Sequence, residues 1–448
     1  MNVLSSVEIE KQCFAGLIEA VFSSPSGKFT PGQQPGIQVT VRGLTPGTQN
    51  SSACGLTSTE NMIPGLVNPE ATENFKLIVS RLIDMGYKSG LTAQAVPYDF
   101  RMPTGYDGAS KNLGAIISLL HKFTNKKVVI AAHSMGNLKT AYGLWNMAQQ
   151  DKDSMIQMYL ALAPPYIGAT KPVSYLTCGS NELFFPFNIG LDMKTWKVLA
   201  GTWPTIFELS PRLTYASQAS QPWMQQIMQR IQYENGQSSD PVFSFLPTKS
   251  QLCYPNFSKA TCQSGLEVLD NYGTLTGQPI TNANLYQWLD TYSFSANTAN
   301  MWTLLDSRFE TLQNINVPTT IVYASVVPTE GKFTFNQDPR ITADQNKFCN
   351  NKQMSWSPWL GDDTVPSTSA VTAALKWANE FITGTPNAKP IKMVDVCSAV
   401  NNRLTPYDSK NSSGAFQMSS VEYQGLPCDC SEGKYRHCTH TGMILLPA

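Results

Sequence analysis

Ten residues constrain this chain more than any others: Val128-Val129-Ile130-Ala131-Ala132-His133-Ser134-Met135-Gly136-Asn137. A β-branched run climbs into a small-x-Ser-x-Gly turn, and a helical pattern, Leu138–Met147, follows. That order of strand, sharp turn and helix is how a nucleophile elbow reads, with an exposed serine at its apex. The turn brings backbone segments close together, so its flanks must be small, and Ala132 and Gly136 are. The following helix aims its first N–H groups at the serine, where negative charge would develop. A pentapeptide of this kind arises by chance in roughly one chain in three of such length. A plain strand-to-helix turn therefore stands beside the chemical reading until the rest of the chain is weighed.

A serine attacks nothing at neutral pH without a base, and the base needs an acid to orient it. The chain has 4 histidines, so the search is short. His121 closes the apolar helical pattern Leu113, Ile116, Ile117, Leu120 and reads as a helix-end residue. His133 adjoins the serine and is too near in sequence to turn its ring onto the neighbouring hydroxyl. His437 and His440 are left. In strand–turn–helix hydrolases the partners run Ser, then Asp or Glu, then His. Between Ser134 and those histidines lies Gly361-Asp362-Asp363-Thr364-Val365-Pro366. It follows the β-rich run Thr319–Ser325 and a long loop, and it precedes the helical stretch Ser367–Ile382. The order fits, with either aspartate and either histidine.

Composition narrows the function classes. Hydrophobic residues make up 42% of the 448, enough for a large core, whereas charged residues are only 14%, against roughly 25% in an average chain. Basic and acidic residues balance at 32 each, which argues against a nucleic-acid partner. No apolar run approaches the roughly 18 residues that span a bilayer. Met1 to Lys11 lacks the continuous apolar core of a signal peptide. Ten cysteines, four of them (Cys397, Cys428, Cys430, Cys438) near the carboxyl end, favour an oxidising compartment, secreted or within the lysosomal or endomembrane lumen. Cys253 and Cys262 are spaced to close a short loop. Cys428, Cys430, His437, Cys438 and His440 also admit a zinc reading, but their spacing is not a common finger arrangement and disulfides account for the cysteines equally well. Sequons at Asn50, Asn256 and Asn411 occur about as often as an Asn- and Ser-rich chain produces them without meaning.

Along the chain, Ser5 and Glu8 have capping-box spacing, and Val7, Phe14, Leu17, Ile18 and Val21 predict a helix stopped by Pro25. A strand is predicted at Ile37–Val41. Phe75, Ile78, Val79, Leu82 and Met85 predict an amphipathic helix ended by Gly86. Leu91–Val96 reads as a strand, Leu113–His121 as a helix and Met155–Ala163 as a strand. Strand and helix thus alternate, which argues a parallel sheet covered on both faces. From about Pro172 to Gln313 that rhythm fails and aromatic residues crowd together: Phe184, Phe185, Phe187, Trp196, Trp203, Phe207, Tyr215 and Trp223. One reading is an insertion over the carboxyl edge of the sheet, where open α/β folds bind ligands. The other is an ordinary helical subdomain with its own aromatic core. The expected division is a core part at 1–172, a cap or lid at 173–313 and a second core part at 314–448. Asp99 and Arg101 read as a structural ion pair at a strand end, with substrate contact as the alternative. Trp356 and Trp359 flank the acid loop, either lining an acyl pocket or packing beneath it.

Six ordered segments then resemble one family. They are Pro35-Gly36-Ile37-Gln38-Val39, Pro97-Tyr98-Asp99-Phe100-Arg101, Ala132-His133-Ser134-Met135-Gly136, Ala163-Pro164-Pro165-Tyr166-Ile167-Gly168 with Lys171-Pro172, Gly361-Asp362-Asp363-Thr364-Val365, and His440-Thr441-Gly442-Met443. The chain resembles the lecithin–cholesterol acyltransferase family, which includes lysosomal phospholipase A and phospholipid–diacylglycerol acyltransferase branches. The resemblance implies an α/β-hydrolase fold with a large cap. It implies Ser134 as nucleophile, Asp362 as acid, His440 as base and the Met135 N–H as one donor of the oxyanion hole. It also implies a phospholipid substrate met at a membrane or lipoprotein surface, acyl transfer to a lipid alcohol or water, and no cofactor or metal. Phe184, Phe185, Trp356 and Trp359 are the expected substrate contacts. Family members usually carry an early strand ending in Val-Pro-Gly, whose loop supplies the second oxyanion donor, and this sequence has no counterpart of it. Cys13 matches a cysteine that pairs, in some members, with a partner further upstream. Ala132 stands where the family usually has the first glycine of the elbow. A catalytically impaired, lipid-binding homologue lacking part of that hole is therefore the alternative reading.

Overall fold

The alternation of faces along the strands is the clearest physical feature of the fold. A computed structural model describes residues 21–23, 30–32, 56, 75–179, 193–211, 267–270, 289, 301, 304–324, 327–335, 354–396 and 421–426. Five strands form a wholly parallel sheet: β3 (Val128–His133), β4 (Ile156–Leu162), β6 (Thr319–Ala324), β9 (Ile391–Val396) and β10 (Val421–Leu426). They lie side by side in chain order, β3-β4-β6-β9-β10. Successive strand side chains point to opposite faces, and the apolar residues divide accordingly. Tyr159 and Ala161 of β4, Ile321 and Tyr323 of β6 and Met393 of β9 enter one core. Leu160 and Leu162, Val322 and Ala324, and Val394 and Val396 enter another. A strand apolar on both faces must be covered twice, which is the parallel α/β arrangement.

The first face is covered by α2 (Gly108–Thr124), α3 (Gly136–Trp145) and α9 (Ser367–Ile382). Asp107 caps α2 by accepting the Ser110 N–H at 2.9 Å, so the helix starts five residues before Leu113. Asn125 ends it in the left-handed conformation, at φ 54°. His121 accordingly sits in its last turn, with Nδ1 2.8 Å from the Lys126 carbonyl, as a helix-end residue should. Helix α9 presents a smooth alanine face (Ala370, Ala373, Ala374, Ala378), and its Trp377 donates to the Leu312 carbonyl at 2.9 Å. Phe75 and Ile78, at the start of α1 (Lys76–Asp84), pack on the opposite core, so helices lie on both faces. This is the parallel sheet covered on both faces that the strand–helix rhythm predicts.

Two expectations are corrected. Leu91–Val96 forms no strand, because local bonds capture its start: the Lys88 carbonyl accepts the Leu91, Thr92 and Ala93 N–H groups. The Thr92 hydroxyl, in turn, accepts the Lys88 N–H at 2.7 Å, and such side-chain turns compete with a ladder. Val21, predicted to be helical, lies instead in β1 (Val21–Ser23), paired antiparallel with β2 (Thr30–Gly32). Its β-branched side chain suits an extended backbone better than a helix end. The remainder of that predicted helix, the Ile37–Val41 strand and Cys13 lie outside the described residues.

A second, three-stranded sheet joins β5 (Glu267–Asp270), β7 (Val327–Phe335) and β8 (Met354–Gly361), with β7 and β8 antiparallel. Helix α4 (Gln149–Met155) leads into β4. Helices α5 (Lys171–Thr177), α6 (Met193–Thr202) and α7 (Pro204–Leu209) precede β5, and α8 (Ser307–Glu310) precedes β6. Cys178, buried after α5, is one half of a disulfide whose partner lies outside the described residues.

A buried ionic group fastens α7 to α3. Lys139 of α3 donates to the Met102 carbonyl at 2.6 Å. Its ammonium lies 2.8 Å from Asp107 and 4.0 Å from Glu208 of α7. The Asp107 contact is a charge contact rather than a directed hydrogen bond, since Oδ2 accepts none. Both Glu208 oxygens accept the Thr104 N–H at 3.1 Å. All three side chains are buried. Burial, and then the Asp107 charge, push the neighbouring Tyr98 phenol well above its ordinary range, so it stays neutral. Removing the cation from between two buried carboxylates is strongly unfavourable. Lys139→Ala should lower stability by about 3–5 kcal/mol, read as a drop in the urea midpoint.

Candidate active site

Ser134 is the apex of the turn between β3 and α3 and has φ 52°. A residue with a Cβ at such an angle sits in the left-handed region, at a cost of about 1–2 kcal/mol. Hydrogen bonds hold it there. The Ser134 N–H donates to the Leu162 carbonyl at the end of β4, at 2.9 Å. The Ser134 carbonyl accepts from the Asn137 N–H at 3.0 Å and from the Asn137 side-chain amide at 2.8 Å. The serine is half-buried and Met135 is buried. Met135, the N-cap residue, makes no side-chain capping bond, and the positive end of the helix faces the apex. Small flanks are needed here, yet glycine is not obligatory. A methyl group at Gly136 would stand 3.6 Å from the Tyr98 oxygen and 3.8 Å from the Ala132 Cβ, which is ordinary contact.

Asp362 follows β8 in a tight turn, 2% exposed. Its Oδ1 accepts the Thr364 N–H at 3.0 Å and the Val365 N–H at 2.7 Å, so the carboxylate is locked by its own loop. Asp363 plays a different part. At φ 78° it donates its N–H to the Thr329 hydroxyl at 3.0 Å and accepts the Thr364 hydroxyl at 2.7 Å. Gly361 must be glycine, because a Cβ there would collide with the Thr329 hydroxyl and the Val365 carbonyl. Thr329, on β7, thus registers the acid turn against the hairpin.

Ser134 follows β3, and Asp362 bridges to Val327, three residues beyond the end of β6. Ser134 thus lies past the carboxyl end of β3, and Asp362 is bridged to a residue past the carboxyl end of β6, with β4 alone between those two strands. His437, His440, Phe184 and Phe185 lie outside the described residues. Trp356 and Trp359 are in β8, their backbones registered against Phe333 and Thr329, and their side chains lie outside the described set. His133 packs edge-on against Phe75, with ring centroids 6.0 Å apart. Arg101, 2% exposed, pairs with Asp99 at 2.7 Å, the structural reading of those two residues. Among the described residues no group of three His, Cys, Asp or Glu side chains could hold a metal ion. No described helix is long and apolar enough to cross a membrane.

Several residues that matter here left no mark in the sequence reading. Thr205 of α7 donates its hydroxyl to the Met135 sulfur at 2.8 Å and its N–H to the Arg101 carbonyl at 3.4 Å. Asn137 is fully buried beneath the serine, and Tyr159 donates to its Oδ1 at 2.5 Å. Asn137 alone carried a signal, a polar residue on the inward side of a helix start. Two glycine substitutions should separate space from requirement. Gly136→Ala is expected to change stability by less than about 1 kcal/mol, whereas Gly361→Ala should cost about 1–3 kcal/mol by overpacking, both measured by thermal unfolding.

Comparison with known proteins adds the following. The model of the family described as lecithin:cholesterol acyltransferase matches residues 32–401. The phosphatidylcholine-sterol acyltransferase of Gallus gallus is 31% identical over 134 residues, 30% of this chain and 32% of that protein. The lysosomal phospholipase A and acyltransferase of Canis lupus familiaris is 34% identical over 109 residues, 24% of this chain and 27% of that one. The chain thus spans about a third or less of the length of these two curated relatives. A chain from the crystal structure of the Tle4–Tli4 complex aligns over 62% of this chain and 58% of its own, at 13% identity and a TM-score of 0.31, too low to carry any inference.

Proposed function

This chain belongs to the lecithin:cholesterol acyltransferase family, and on that premise we propose that it moves acyl groups from glycerophospholipid esters through a serine-bound intermediate. The observation that carries the reading is Ser134 held at φ 52° at the start of α3. That backbone conformation costs free energy, and such strain is found where a side chain must be presented.

In the proposed reaction His440 accepts the Ser134 hydroxyl proton as the oxygen attacks the ester carbonyl. The oxyanion is stabilised by the Met135 N–H and the positive end of α3. His440 then returns the proton to the departing lysophospholipid oxygen, leaving an acyl-serine. A lipid alcohol or water loses its proton to His440 and attacks the acyl carbonyl, and His440 returns that proton to the Ser134 oxygen as it leaves. Asp362 holds the imidazole tautomer and stabilises the imidazolium. Its preset carboxylate, with Oδ1 fixed by two backbone N–H groups, supports that part. Residues 173–313 act as a cap over the site, with Phe184, Phe185, Trp356 and Trp359 against the acyl chains. The substrate is met at a membrane or lipoprotein surface. The Cys178 disulfide supports an oxidising, luminal or extracellular setting.

The test is release of fatty acid, or of acylated acceptor, from phosphatidylcholine liposomes. Ser134→Ala and His440→Gln should abolish it, and Asp362→Asn should lower kcat about 10⁴-fold. Asp363→Asn, altering only the turn, should stay within about tenfold. Liposome binding with no product from the parent protein would favour the impaired homologue instead. Fluorophosphonate labelling at a serine other than Ser134 would overturn the site.

A further inference from the structure

We propose that Asn137 is a positioning residue that aims the Met135 N–H by gripping the other end of the same peptide plane. The inference deepens the reading above and rests on it. The Ser134 carbonyl and the Met135 N–H belong to one planar trans peptide and point in opposite directions. Whatever fixes the carbonyl therefore fixes the donor. Asn137 fixes it twice, with its own N–H at 3.0 Å and its side-chain amide at 2.8 Å.

The same amide donates to the Leu162 carbonyl at 2.9 Å. Leu162 also accepts the Ser134 N–H at 2.9 Å. One side chain thus bridges the carbonyls on either side of the elbow and ties the turn to β4. An amide can be turned over, and the turned form would set its oxygen against two carbonyls. Tyr159 disfavours that form, donating its hydroxyl to Asn137 Oδ1 at 2.5 Å. Tyr166 in turn donates to the Tyr159 oxygen at 3.3 Å. Hydrogen-bond polarity therefore runs one way, from Tyr166 through Tyr159 and Asn137 to the Ser134 carbonyl. Asn137 and Tyr159 are fully buried and Tyr166 nearly so. Burial holds both phenols well above their ordinary range, so each remains a donor. None of the three touches the reacting atoms.

A misaimed oxyanion donor slows chemistry without weakening ground-state binding. Asn137→Ala should therefore lower kcat about 10- to 100-fold on phosphatidylcholine liposomes, with KM within about twofold. The rate of Ser134 labelling by a fluorophosphonate, whose phosphoryl oxygen needs the same donor, should fall by a similar factor. The pH at which activity is half-maximal should not move, because the base is untouched. Tyr159→Phe keeps both donors and removes the hydroxyl that orients the amide, so it should lie between the parent and Asn137→Ala. A folded Asn137→Ala protein with labelling and kcat within twofold of the parent overturns the inference, as does a loss confined to KM. If Asn137→Ala fails to fold, an unchanged labelling rate in Tyr159→Phe overturns it equally. A parent protein that takes no label at Ser134 instead overturns the reading on which the inference stands.

Discussion

The left-handed backbone of Ser134 is the constraint on which the rest of the site depends. A residue with a Cβ relaxes out of that region unless its neighbours hold it. Here the end of β4 supplies one hold, through the Leu162 carbonyl, and Asn137 the others. The parallel pairing of β3 with β4 brings Leu162 beside the turn, since His133 and Leu162 are register partners. Sheet register and elbow strain are therefore one problem. A slip of the sheet would release the serine.

The second element of the candidate site is held by a different device. Asp362 depends on no long helix. Its loop folds on its own carboxylate and is registered by the Thr329 hydroxyl, which accepts the Asp363 N–H. Asp363 thus does structural work so that Asp362 can be preset. Two adjacent aspartates of equal chemistry are divided into a preset carboxylate and a turn former by which atoms the backbone engages.

Contacts between α7 and the elbow link the start of the 173–313 stretch to the site. Thr205 binds the Met135 sulfur, while Glu208 faces Lys139 on the elbow helix. Met135 is the residue whose N–H is the proposed oxyanion donor, so movement of α7 would be felt there. Trp203 and Phe207, fully buried, anchor the same helix, and Trp203 meets Phe100 edge-on at 5.4 Å. Trp203 thus packs against the Pro97–Arg101 segment, so this part of the aromatic crowding is cohesion with the rest of the fold.

Much was legible from sequence because it depends on short-range rules. The strand, small-flanked turn and helix at 128–147 follow from β-branching and helical periodicity, and α9 begins and ends where its pattern does. Helix α2 extends beyond its apolar stripe because the Asp107 cap lies outside that stripe, and Leu91–Val96 forms no strand because a turn of local hydrogen bonds outcompetes a ladder. What sequence by itself determined is a parallel α/β chain with a serine elbow, since alternation and periodicity are properties of neighbouring residues. Tertiary structure alone decided that Asn137, Tyr159 and Tyr166 join beneath that serine, that Thr329 holds the acid turn and that Glu208 faces Lys139. Apart from the step from Tyr166 to Tyr159, 7 residues, the hydrogen bonds these residues make to distant groups span 22 to 104 residues. No local pattern encodes a hydrogen bond that exists only after sheets and helices have closed over it.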